Sequence, residues 1–183
     1  MGLWRVFYAG WQMECCGTPF SVGDEVSWQL LLVPGEEPAS RLTGPAVHVA
    51  DATDGIRVVQ EAGLTVALSE DPEPRPAGSG PAEPRPVGSG PADPGTARRS
   101  GLLSVETHGG AWPEVTGRVR SLHIVVQDLA RGADGTWEPV PGTRTLRETD
   151  RCPKWFRGRE FGTDTGRRRR DEQGVLVGLE VPS

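Results

Sequence analysis

The chain predicts an all-β fold, a small antiparallel barrel or sandwich interrupted by a long disordered Pro/Gly-rich insertion. Three observations carry that expectation. Short apolar runs alternate with polar residues at period two, the pattern of half-buried strands. Turn-forming residues punctuate them, since the 183 residues include 25 glycines and 17 prolines. No segment of ten or more residues repeats its apolar positions at helical spacing, and Val125 to Arg131 would hold one helical turn at most.

In chain order, Leu3 to Tyr8 is an apolar run bounded by glycines. Val26 to Val33 sets Val26, Trp28, Leu30 and Leu32 on one face and Ser27 and Gln29 on the other. Ile56 to Val59 and Leu64 to Leu68 flank Glu61-Ala62-Gly63, which reads as a hairpin loop. Leu102 to Val105, Val119 to Gln127, Thr136 to Val140 and Val175 to Val181 continue the pattern. In the last of these, Val175, Val177, Leu179 and Val181 alternate with Leu176, Gly178 and Glu180.

Between the two halves, residues 73–82 (EPRPAGSGPA) and 83–92 (EPRPVGSGPA) form a tandem repeat that differs only at Ala77 and Val87. The span 70–100 has almost no large apolar residue to offset the entropy of ordering, so it is expected to be a passive disordered linker. A small barrel closes only if strands from both halves join one sheet. Residues 1–183 are therefore expected to form a single β domain, interrupted by the linker 70–100.

A net charge of −5 argues against general nucleic-acid binding. No run of 18 apolar residues is present, and no membrane partner is expected. Met1 to Gly10 lacks the zones of a signal peptide, which predicts a cytoplasmic protein with reduced thiols. Three cysteines also make a poor disulfide framework.

Chemistry, if present, should pass through Trp11 to Trp28, which holds Cys15, Cys16 and the turn Val22-Gly23-Asp24-Glu25-Val26. Adjacent cysteines on an extended chain point to opposite faces, so Cys15 and Cys16 can share an ion only if the backbone turns there. Gly17-Thr18-Pro19 offers such a turn. A zinc ion would need further ligands, for which Cys152, His108 and His123 are available, although no established zinc spacing is present. The plainer reading makes one of the paired thiols buried and the other partly exposed. A cysteine nucleophile would need His108 or His123 as base, and no catalytic residue is assigned.

His108 stands at a strand end before Gly109-Gly110, while His123 is expected mid-strand and half-buried, on the face of Val119, Ser121 and Val125. His48 is expected to face solvent. Arg167 to Arg170 reads as a solvated loop, and Cys152 to Arg157 as an aromatic and basic tract that could stack a ligand or cover a barrel end. The tryptophans Trp11, Trp28, Trp112, Trp137 and Trp155 read as core plugs before they read as a pocket lining.

Gly10-Trp11-Gln12, Cys15-Cys16-Gly17, Pro19-Phe20, Val22-Gly23-Asp24 and Val26 resemble the signature of an actinobacterial family of domains of unknown function. His108, Gly117 and Val119 resemble that family's second block more loosely. The resemblance implies a bacterial cytoplasmic protein and supplies no catalytic residues. The expected function is a non-enzymatic β-barrel module that binds a protein partner or a small ligand without a cofactor. The alternative is a zinc or thiol-dependent site built on Cys15 and Cys16 with Cys152 and His108.

Overall fold

The first apolar run forms strand β1 (Gly2–Ala9), after which the chain winds into one short helix, α1 (Gly10–Cys15). These assignments come from a computed structural model, which describes residues 2–34, 40–42, 46–48, 57–68, 99–109, 112–161 and 168–182. Strands β2 (Glu25–Pro34), β3 (Ser40–Leu42), β4 (Ala46–His48), β5 (Arg57–Glu61) and β6 (Leu64–Leu68) follow. Then come β7 (Arg99–Glu106), β8 (Val115–Arg131), β9 (Trp137–Pro139), β10 (Thr145–Glu148), β11 (Gly158–Phe161) and β12 (Arg168–Val181). The tandem repeat lies outside the described residues. Arg99 and Ser100, assigned above to the linker, already belong to β7.

The strands make one mixed sheet that is partly closed into a ring. β8 pairs with β12, β12 with β1, β1 with β7 and β7 with β2, and β2 returns to β8 through Glu25–Trp28. Beyond Trp28, β2 also pairs with β6, and β5 and β4 continue the sheet outward. The expected antiparallel arrangement holds only in part, because β1 with β7 and β2 with β6 run parallel. Parallel neighbours are joined by long crossovers, which local turn signals cannot announce.

The face of β12 carrying Val175, Val177, Leu179 and Val181 is almost fully buried, at 2% exposure or less. It packs with Val6 and Tyr8 of β1, Leu30 and Leu32 of β2, and Leu103 and Val105 of β7. Tyr8, Phe20 and Trp28 meet in this core with ring centroids 5.0–5.9 Å apart. Burial pushes the Tyr8 hydroxyl up to about 12. The β5–β6 hairpin forms as expected, with Ala62 and Gly63 both at positive φ, the backbone of a tight two-residue turn.

Two β-bulges separate the observed faces from a simple alternation. Val119 lies opposite Leu179 but Ser121 lies opposite Gly178, which leaves Arg120 unopposed and reverses the faces beyond it. His123 is half-buried on the face of Ser121 and Val125, but not on that of Val119 as alternation implied. The second shift leaves Gln173 unopposed before Gly174. Gly174 sits at φ +149°, and a Cβ there would come within 2.2 Å of the Tyr8 carbonyl oxygen.

Val125 to Arg131, given above one helical turn at most, is instead the end of the long strand β8. The arginine tract departs from the expected loop as well. Arg168–Arg170 belong to β12, and Arg170 lies directly opposite Asp128 of β8. Its guanidinium donates to both carboxylate oxygens, at 2.6 and 2.9 Å. Arg169 is likewise paired with Asp171. Arg167 lies outside the described residues, as does the side chain of His48.

Candidate functional site

The double-cysteine segment does not form a strand. Gly10–Cys15 is helical, and Cys16 leaves the helix at φ −134°, ψ −6°. The backbone turn that two adjacent cysteines need in order to face one point is this helix end. The amides of Cys16 and Gly17 donate to Gln12 O, both at 3.0 Å, and close the last turn. Lys154 Nζ donates to Met13 O at 2.7 Å and to Gly17 O at 2.9 Å, a cation placed on carbonyls at the end of the helix. Glu14 accepts the amide of Phe156 at 2.9 Å. The tract Cys152 to Arg157 thus holds the end of α1. Gly17 is required at this turn: a Cβ would sit 2.6 Å from Met13 Sδ and 2.7 Å from the Tyr8 hydroxyl.

Cys15 and Cys16 are both exposed, which corrects the plainer expectation of one buried and one partly exposed thiol. Their sulfurs and one imidazole nitrogen of His108 all lie within 4.8 Å of one another. His108 arrives from a segment more than ninety residues away, just past the end of β7. Glu106, the last residue of that strand, accepts the His108 amide at 2.7 Å and stands 3.4 Å from its Nδ1. Trp11 stacks on the imidazole with centroids 5.2 Å apart and planes 15° from parallel. The Cys16 thiol donates to Thr107 Oγ1 at 3.8 Å. The Cys15 thiol is held above its ordinary range, first by its hydrogen bond with Cys16 and then by the charge of that neighbour; Lys154 opposes this.

Cys152, the fourth residue of the sequence-derived set, is not brought to this point. It is fully buried in the core, its thiol turned to Pro153 O at 3.6 Å, and burial pushes it up to about 12. Buried and protonated, this thiol is out of reach of both a substrate and the exposed cysteine pair. The turn at Gly23-Asp24 has the structural role expected of it: Gly23 is at φ +95°, and Asp24 Oδ2 accepts the Ser21 amide at 2.8 Å.

A second place, which the sequence reading missed, lies on the outer surface of the ring. Phe7, Leu102, Val125 and Leu176, from four strands, form the floor of a groove of about 360 Å³. Leu146 and Pro139 add to its apolar lining, and Arg5, Gln127, Arg144 and Gln173 supply its polar groups. Gln127 is fixed by donating to Val140 O at 2.8 Å and to Thr143 Oγ1 at 2.7 Å, and it accepts from Arg144 Nε at 3.3 Å. Arg5 is exposed and has no carboxylate partner among the described residues. The groove's one signal in the sequence is β12 itself, where Leu176 makes both faces apolar.

Neither the curated proteins nor the solved structures offer a match to this sequence. Residues 2–181 match the model of a family described as "Family of unknown function (DUF6578)", and the chain belongs to that family.

Proposed function

We propose that this member of the family is a non-enzymatic β-barrel module that binds a small amphipathic anion, an apolar carboxylate, in the outer groove. One observation carries the reading: apolar residues of four strands and two arginine side chains line the same groove. Ligand sites have this composition, with apolar walls that provide affinity and a few fixed polar groups that orient the molecule. The volume falls within the range of small-molecule pockets, roughly 300–1,000 Å³. Arg5 and Arg144 would receive the carboxylate, for which a guanidinium fork is the matching donor. Guanidinium and amide groups neither take nor give protons near neutral pH, so the polar lining suits recognition better than acid–base chemistry.

The test is isothermal titration with octanoate and with octanol, which share an alkyl chain and differ in charge. Octanoate is expected to bind more tightly, and Arg5→Ala to weaken it about tenfold while leaving octanol unchanged, as for one lost charged hydrogen bond. Equal affinity for the two probes, or octanoate binding indifferent to both Arg5→Ala and Leu176→Arg, would remove the proposal.

A further inference from the structure

We propose that Cys15, Cys16 and His108 form a zinc site, independent of the outer groove, with three protein ligands and an open fourth position. Two thiolates and an imidazole are the donor set that a borderline-soft divalent ion prefers over oxygen ligands. In a tetrahedral site with bonds of about 2.3 Å to sulfur and 2.0–2.1 Å to nitrogen, neighbouring ligand atoms stand roughly 3.5–3.8 Å apart. The three atoms already lie within 4.8 Å of one another, so side-chain rotation at an exposed surface closes the remaining gap without moving a strand.

The surroundings argue for the same chemistry. An imidazole ligand works best when its other nitrogen is held by a carboxylate, which fixes the tautomer and strengthens the donor. Glu106 Oε1 accepts the backbone amide of His108 and stands 3.4 Å from its Nδ1, so the carboxylate that fixes the main chain is also placed beside the ring. The stacked Trp11 restrains the ring plane from a second side. Both restraints reduce the entropy that a histidine on an exposed turn would lose on coordination.

The thiols supply the charge. Each loses its proton to solvent on coordination, and the cation removes the repulsion that two adjacent thiolates would otherwise feel. Among the described residues no further His, Cys, Asp or Glu joins the three, and Cys152 remains in the core, which leaves the fourth position open.

The experiment uses the full chain, reduced and then freed of reductant, titrated with zinc in buffers of different ionisation enthalpy. Cobalt serves as a parallel probe, read by its thiolate-to-metal charge-transfer band. One equivalent of zinc is expected to bind, with a proton released from each thiol. Cys15→Ser and Cys16→Ser should each abolish both stoichiometric binding and the cobalt band, while Cys152→Ala leaves them unchanged. Glu106→Gln should weaken binding about 10–100-fold, the usual effect of losing the carboxylate behind a histidine ligand. Circular dichroism of each variant separates lost binding from lost fold. A chain that binds no zinc, or binding that survives in the Cys15→Ser, Cys16→Ser double variant, overturns the site. Neither outcome touches octanoate binding in the groove.

Discussion

Leu176 and Val177 are neighbours on β12, with exposures of 5% and 0%, yet they serve opposite sides of the sheet. Val177 faces the closed apolar core, where every direction is filled by side chains of the same ring of strands. Leu176 faces outward, into a groove bordered by Arg5, Arg144 and the short strand β10. Near-equal burial therefore hides two environments. One is a finished core and the other a lined hollow, and only the second leaves room for a molecule from outside.

The difference can be broken open by truncation. Leu179→Ala, on the inner face, should cost about 3–5 kcal/mol in denaturant unfolding, because it removes atoms from a filled core and leaves a cavity. Leu176→Ala should cost nearer about 2 kcal/mol, because its side chain already borders open space, and should weaken octanoate binding, which Leu179→Ala should not. Equal costs for the two would show that the outer face is as tightly filled as the inner one.

The cysteines repeat the contrast on a smaller scale. Cys152→Ser places a hydroxyl in the core and should cost about 1–3 kcal/mol for the buried polar group. Cys15→Ser and Cys16→Ser, both at exposed positions, should stay within about 0.5 kcal/mol in metal-free protein. In the native chain a thiol-alkylating reagent at neutral pH should modify Cys15 and Cys16 and spare Cys152, whose thiol burial pushes to about 12.

The smallest expected effect concerns pH. The hydrogen bond from Arg170 holds the Asp128 carboxyl below its ordinary range. Its folded pKa is lower than its unfolded one, so the pair stabilises the fold above the usual carboxylate range, and that contribution is lost as pH falls through the folded value. Asp128→Asn should flatten the acid limb of a stability-against-pH curve and leave the neutral and alkaline limbs alone. An unchanged acid limb would place the pair's role elsewhere.

These contrasts also explain what could be read from the chain. The inner faces of β2 and β12 were legible because alternation at period two reports burial directly, as with Leu30, Leu32, Val175 and Val177. The face of His123 was not, because the unopposed Arg120 reverses the alternation and no residue type announces a bulge. The helix α1 was missed because Gly10–Cys15 is too short to show a helical period. Of the metal candidates, Cys15, Cys16 and His108 stand together at one point, a meeting that no spacing in the sequence announces. Cys152 was not separable from them, because burial of a cysteine leaves no mark on its neighbours in sequence. The groove draws Arg5, Leu102, Val125, Leu146 and Leu176 from five strands, and no local pattern connects them.

The central claim is that the outer face, not the interior of the ring, receives a ligand. It is tested most directly by methyl NMR of the full chain titrated with octanoate. The account predicts saturable shifts at Leu102, Val125, Leu146 and Leu176, with Val6, Val177 and Leu179 unmoved. Shifts centred on the inner residues, or no saturable shift at the four outer ones, would contradict it.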